Sequence, residues 1–138
     1  MRKLLFVLML AVAMVSQAQT VTKSVMLKNM YLGNQKLYAV IGKDTTYVIQ
    51  IKISNRYQKQ ISVGLGDRNE AIRLLSFLND TKLGKGDVVD LENETHNLVT
   101  KNGLGGLLVY SEGRQFSGQL SKDSVREFIE AISEFVPE

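Results

Sequence analysis

The chain has 138 residues, 44% of them hydrophobic, with one histidine, no cysteine and a formal net charge of +3. Absence of cysteine excludes disulfides, thiol nucleophiles and a lipid carried on a cysteine. A single histidine, His96, excludes any site that needs two, the HExxH zinc motif included.

The first eighteen residues read as an address. Arg2 and Lys3 make a positive start, Leu4 to Val15 is an unbroken apolar run, and Ser16-Gln17-Ala18 supplies small residues at the positions a signal peptidase reads. The pattern predicts a secretory signal peptide over residues 1–18, cut between Ala18 and Gln19, and a single α+β domain over 19–138. The apolar run is far shorter than the roughly 20 residues of a spanning helix, so no stable membrane anchor is expected after processing. Loss of Arg2 and Lys3 leaves 15 basic against 14 acidic residues. No Lys/Arg run remains, so nucleic acid is not an expected partner. A domain of this size needs no covalent staple.

After the signal, weaker strands are expected at residues 22–31 and 36–41, joined at Gly33-Asn34. Tyr47, Ile49, Ile51 and Ile53 then alternate with Val48, Gln50, Lys52 and Ser54, and Ile61, Val63 and Leu65 repeat the pattern against Gln60 and Ser62. A period of two with one apolar face predicts an antiparallel sheet covered on one side. From Asp67 the period changes. Ala71, Leu74, Leu75 and Leu78 form a helical stripe, and Asp67 with Glu70 has the spacing of a capping box. Gly84-Lys85-Gly86 reads as a linker.

The second half repeats this grammar. Strands are expected at 88–92, 96–101, 107–111 and 115–120. A helix follows, capped by Ser121, with the stripe Val125, Phe128, Ile129, Ile132 and Phe135. The resulting fold class is α+β: a twisted antiparallel sheet with two amphipathic helices packed on one face, in two strand-then-helix halves of the kind an old duplication would leave.

Chemistry is sparse. Asp90, Glu92, Glu94 and His96 would share one face if the segment were a continuous strand, and could then hold a divalent cation or act as acid and base. Against this, Asn93-Glu94-Thr95 reads as a hairpin turn, which would scatter them. Gly64-Leu65-Gly66 precedes a helix as a phosphate loop does, but Asn69 stands where the third glycine belongs, so a tight corner is the better reading. Tyr38 and Tyr110 are out of phase with their apolar neighbours. Together with Gly105 and Gly106 of a glycine-rich hairpin, they are candidates for a binding surface. Asn79-Asp80-Thr81 and Asn93-Glu94-Thr95 match the glycosylation sequon, which matters only in a host with that machinery.

These features predict a small exported bacterial protein in the periplasm or outside the cell, acting as a non-enzymatic binding or accessory module. No cofactor is expected, and the partner would be an envelope or extracellular protein or a small ligand. Two other readings compete: an enzyme built on the Asp90–His96 carboxylates or a metal there, and a carrier of a small apolar ligand beneath Leu75, Leu78, Phe128 and Ile132.

Overall fold

Alternation of apolar and polar side chains builds the first sheet. In a computed structural model of the chain, residues 23–103 and 105–137 are described; the expected signal segment and its cut at Ala18-Gln19 lie outside them. Strands β1 (Lys23–Met30), β2 (Gln35–Ile41), β3 (Thr45–Lys52) and β4 (Gln60–Gly66) pair antiparallel in sequence order. The register sets Leu37 beside Ile49 and Ile49 beside Val63, so the apolar phases of three strands form one continuous row. All three side chains are fully buried, each contributing roughly 1.5–3 kcal/mol relative to exposure.

A bulge between Tyr47 and Val48 puts an extra β4 residue into the ladder, after which Gly66 turns the chain at φ +85. A Cβ on Gly66 would meet the Glu70 carboxylate at 2.5 Å. Glycine is required at this corner for its conformation, and a side chain there would also displace the Glu70 carboxylate. Helix α1 (Arg68–Asp80) starts immediately with the expected capping box. The Asp67 carboxylate accepts from Glu70 N at 2.9 Å, and Glu70 Oε1 accepts from Asp67 N at 3.0 Å.

Strands β5 (Val88–Asp90), β6 (Leu98–Lys101), β7 (Leu107–Tyr110) and β8 (Ser117–Leu120) form a second four-stranded antiparallel sheet, again in sequence order. Helix α2 (Lys122–Glu134) follows, its start capped by Ser121, whose hydroxyl accepts from Ser124 N at 3.1 Å. The fold class is α+β as expected, and the structure refines it. Among the described residues each half carries four strands and a helix, and the strands divide into two sheets.

The helices pack on each other and on the first sheet, joined to β3 by an edge-to-face pair of Tyr47 and Phe135 at 6.4 Å. Neither helix has a basic residue in its last turn. Each receives one from its neighbour instead. Lys122 Nζ donates to Thr81 O at 2.6 Å and Asn79 O at 3.3 Å at the end of α1, while Arg68 donates to Ser133 O at 2.8 Å in the last turn of α2. Two antiparallel helices thus supply each other with the C-terminal cation that the dipole and orphan carbonyls favour.

The second sheet reaches the first through β8. Gly118 sits where a Cβ would approach Ile51 Cγ2 to 2.7 Å and Ile53 Cγ2 to 3.0 Å. That contact lets Val99, Leu107, Val109 and Leu120 join the same buried cluster as the helices and the first sheet.

Candidate functional site

The charged run of the second half is a loop, not a strand. β5 ends at Asp90 and β6 begins at Leu98, with Asp90 opposite Leu98 in the register. Glu92 and His96 both take φ near +52, which breaks the extended chain on which a shared face depended. The Asp90 carboxylate accepts from Glu92 N at 2.8 Å, and His96 N donates to Asn93 O at 3.0 Å. Asp90, Glu92, Glu94 and His96 are all exposed. Among the described residues, no group of three or more His, Cys, Asp or Glu side chains is placed to hold a metal ion.

The polar residues between those charges are the ones that are used. Asn97, 1% exposed, donates from Nδ2 to Tyr110 O at 3.0 Å and to Ser62 O at 3.3 Å. Its Oδ1 accepts from Asn93 Nδ2 at 2.9 Å and from the Thr95 hydroxyl at 2.5 Å. Asn93 Nδ2 also donates to Gly64 O at 2.9 Å, and Gly64 N donates to Thr95 Oγ1 at 2.8 Å. Because β4 is the last strand of its sheet, these three side chains stand in for a missing fifth strand, satisfying edge groups that would otherwise lie half-buried and unpaired. A glycan on Asn93 would displace the nitrogen that holds this network.

Tyr38 and Tyr110 are not brought together. Tyr38 projects from the outer face of β2, between Met26 and Val48 in the register. Tyr110 lies on the outer face of β7, with the Arg114 guanidinium 4.6 Å from its ring centre. Hydrogen bonds with Thr100 and then Arg114, assisted by the arginine charge, hold its phenol below the ordinary tyrosine value. Gly105 (φ +91) turns the exposed β6–β7 hairpin, and Gly106 closes it by accepting from Asn102 N at 3.0 Å.

Of these candidates, Gly106 lines a groove. It has a volume of about 750 Å³ and runs between the free side of β8 and the end of the first sheet, with Tyr31, Gln35, Lys52, Gln119 and Ser121 among its walls. Gln35 is 6% exposed. Its Oε1 accepts from Ser121 N at 3.2 Å, which fixes the orientation of the amide, and its Nε2 donates to no acceptor among the described residues. Lys52 is the only charged side chain in the wall, and it forms no ion pair among the described residues.

Sequence reasoning missed this groove, yet one signal for it was available. Gln35 occupies the core phase of β2 with Leu37, Ala39 and Ile41. A polar side chain in an apolar phase must find a partner or await one. A smaller cleft of about 270 Å³ lies between β1 and α2 beside Lys28, Glu127, Glu130 and Glu134. Neither cleft is lined by the four residues named for an apolar carrier. Comparison with protein-family models, with curated proteins and with solved structures gave no match.

Proposed function

We propose that the chain is an exported, non-enzymatic binding or accessory module of a bacterial cell envelope, working as a free protein in the periplasm or outside the cell. One observation carries the binding reading. The groove between the sheets is walled by a buried Gln35 amide whose Nε2 lacks a described acceptor. A donor with no acceptor in the surrounding protein is free to meet one at the wall of a groove. Such a donor where a ligand-sized space opens suits an acceptor arriving from outside.

Export rests on residues 1–18, whose charged start, apolar run and small-residue end have the form of a signal. The near balance of 15 basic and 14 acidic residues left after their loss disfavours nucleic acid as a partner. The test has two parts. Cell fractionation with N-terminal sequencing should find a product beginning at Gln19 outside the cytoplasm, and Leu8→Arg should hold the full-length chain inside. Titration of the protein with panels of peptides and oligosaccharides should shift the NMR signals of Gln35 and Gln119. If no compound in either panel shifts them, the binding reading fails.

A further inference from the structure

Among the described residues, β8 is the last strand of the second sheet and pairs with β7 alone. The backbone shows which groups face outward. Ser121 N is directed away from β7 to Gln35 Oε1, and Ser121 continues β8 in extended conformation, with φ −79 and ψ 153. In an extended chain, amides two residues apart point the same way, so the N–H and C=O groups of Gln119 and Ser117 face the groove. Leu120 keeps the opposite phase, with its carbonyl oxygen 3.4 Å from where a Gly106 Cβ would stand.

The far wall carries one amide donor and one cation. These are the Gln35 Nε2 group and the Lys52 ammonium, neither with a partner among the described residues. At one end of the groove, the β1–β2 turn holds Tyr31 (φ 55) and Leu32 (φ 57) in the left-handed region, ahead of Gly33 (φ 91). For non-glycine residues this costs roughly 1–2 kcal/mol each. The turn leaves the Leu32 side chain fully exposed and Tyr31 about half exposed. A strained turn that shows apolar side chains to water beside a groove suits a contact surface better than it suits stability.

We infer that the groove takes an extended peptide segment carrying a carboxylate, which adds to β8 as a further antiparallel or parallel strand. This rests on the binding reading above and names its ligand class. Main-chain groups of the peptide pair with Ser117 and Gln119, a peptide carbonyl accepts from Gln35 Nε2, and an Asp or Glu side chain meets Lys52. An apolar residue packs against Tyr31 and Leu32. Backbone pairing supplies affinity, while the flanking contacts select the sequence.

The test uses protein expressed from the whole chain and a phage-displayed library of random dodecapeptides. Selected peptides should be rich in Asp or Glu, and a synthetic one should shift the Ser117 and Gln119 amides and the Gln35 side-chain amide. N-methylation scanned along that peptide should weaken binding about tenfold at alternate positions and leave the intervening ones unchanged. Gln35→Glu retains an acceptor for Ser121 N but removes the free donors, and should weaken binding by a similar factor. The methylation scan uses the unaltered protein, so it decides the matter even if that variant folds poorly. Selected peptides that show no alternation, or leave Gln119 unshifted, overturn strand addition. If oligosaccharides shift Gln35 and Gln119 while no peptide is selected, the peptide class is wrong and the binding reading stands. If neither does, both fall.

Discussion

The outer sides of β4 and β8 pose the same physical problem and receive opposite treatment. Among the described residues each is the last strand of its sheet, with backbone donors and acceptors turned away from the ladder. Along β4, the side chains of Asn93, Thr95 and Asn97 fill the place of a strand, and the amide nitrogens of Asn93 and Asn97 all have acceptors. Along β8, one glutamine carbonyl satisfies Ser121 N, and the other end of that amide is left without a described acceptor. Polar groups that are buried and satisfied stabilise a fold, whereas a donor at the wall of a groove is open to a partner from outside. The charged Asp90–His96 run drew attention in the sequence, yet its chemistry belongs to the satisfied edge.

The largest test of this contrast is Asn97→Ala. It strands the carbonyl of Ser62 and takes one hydrogen-bond partner each from Tyr110 O, Asn93 and Thr95, so urea unfolding should show a loss of about 3 kcal/mol. A loss below 1 kcal/mol would mean that the loop merely rests on β4. Lys122→Met calibrates a satisfied polar contact elsewhere in the same fold. It keeps the aliphatic stem and removes the cation from the end of α1, with an expected loss of about 1 kcal/mol.

Gln35→Leu should behave unlike Asn97→Ala despite similar burial. It gives up one bond to Ser121 N but also removes an unpaired donor and buries a hydrocarbon, so stability should stay within about 1 kcal/mol of the parent. A loss comparable to that of Asn97→Ala would place Gln35 among the structural residues and erase the contrast. Smallest of all is the expected response to Ca²⁺, Zn²⁺ or Mn²⁺. With Asp90, Glu92, Glu94 and His96 dispersed, none of these ions should raise the melting temperature. A rise that His96→Ala abolishes would restore the metal reading of that loop.

Much of the fold was legible because its elements are written locally. Tyr47, Ile49 and Ile51 announce β3, Ala71, Leu75 and Leu78 announce α1, and Asp67 with Glu70 marks where it begins. Residue type alone also predicts the turn at 93–95. Partner choice was less legible. Asn97 looks like an ordinary loop residue until Ser62 and Tyr110 are seen beside it. Lys122 and Arg68 look like surface charges until each is found at the end of the other helix.

By itself, then, the sequence determined the order of strands and helices, the apolar faces of β3, β4 and both helices, the caps of those helices and the α+β class. All of these follow from periodicity and short-range hydrogen bonding, which act over a few residues. Only the tertiary structure decided that the strands divide into two sheets, that Gly118 lets them meet at Ile51, and that Gln35 looks into the space left between them. Those outcomes depend on contacts between residues far apart in the chain, such as Gln35 with Ser121. Their signal in a single sequence is one amide in the wrong phase of a strand.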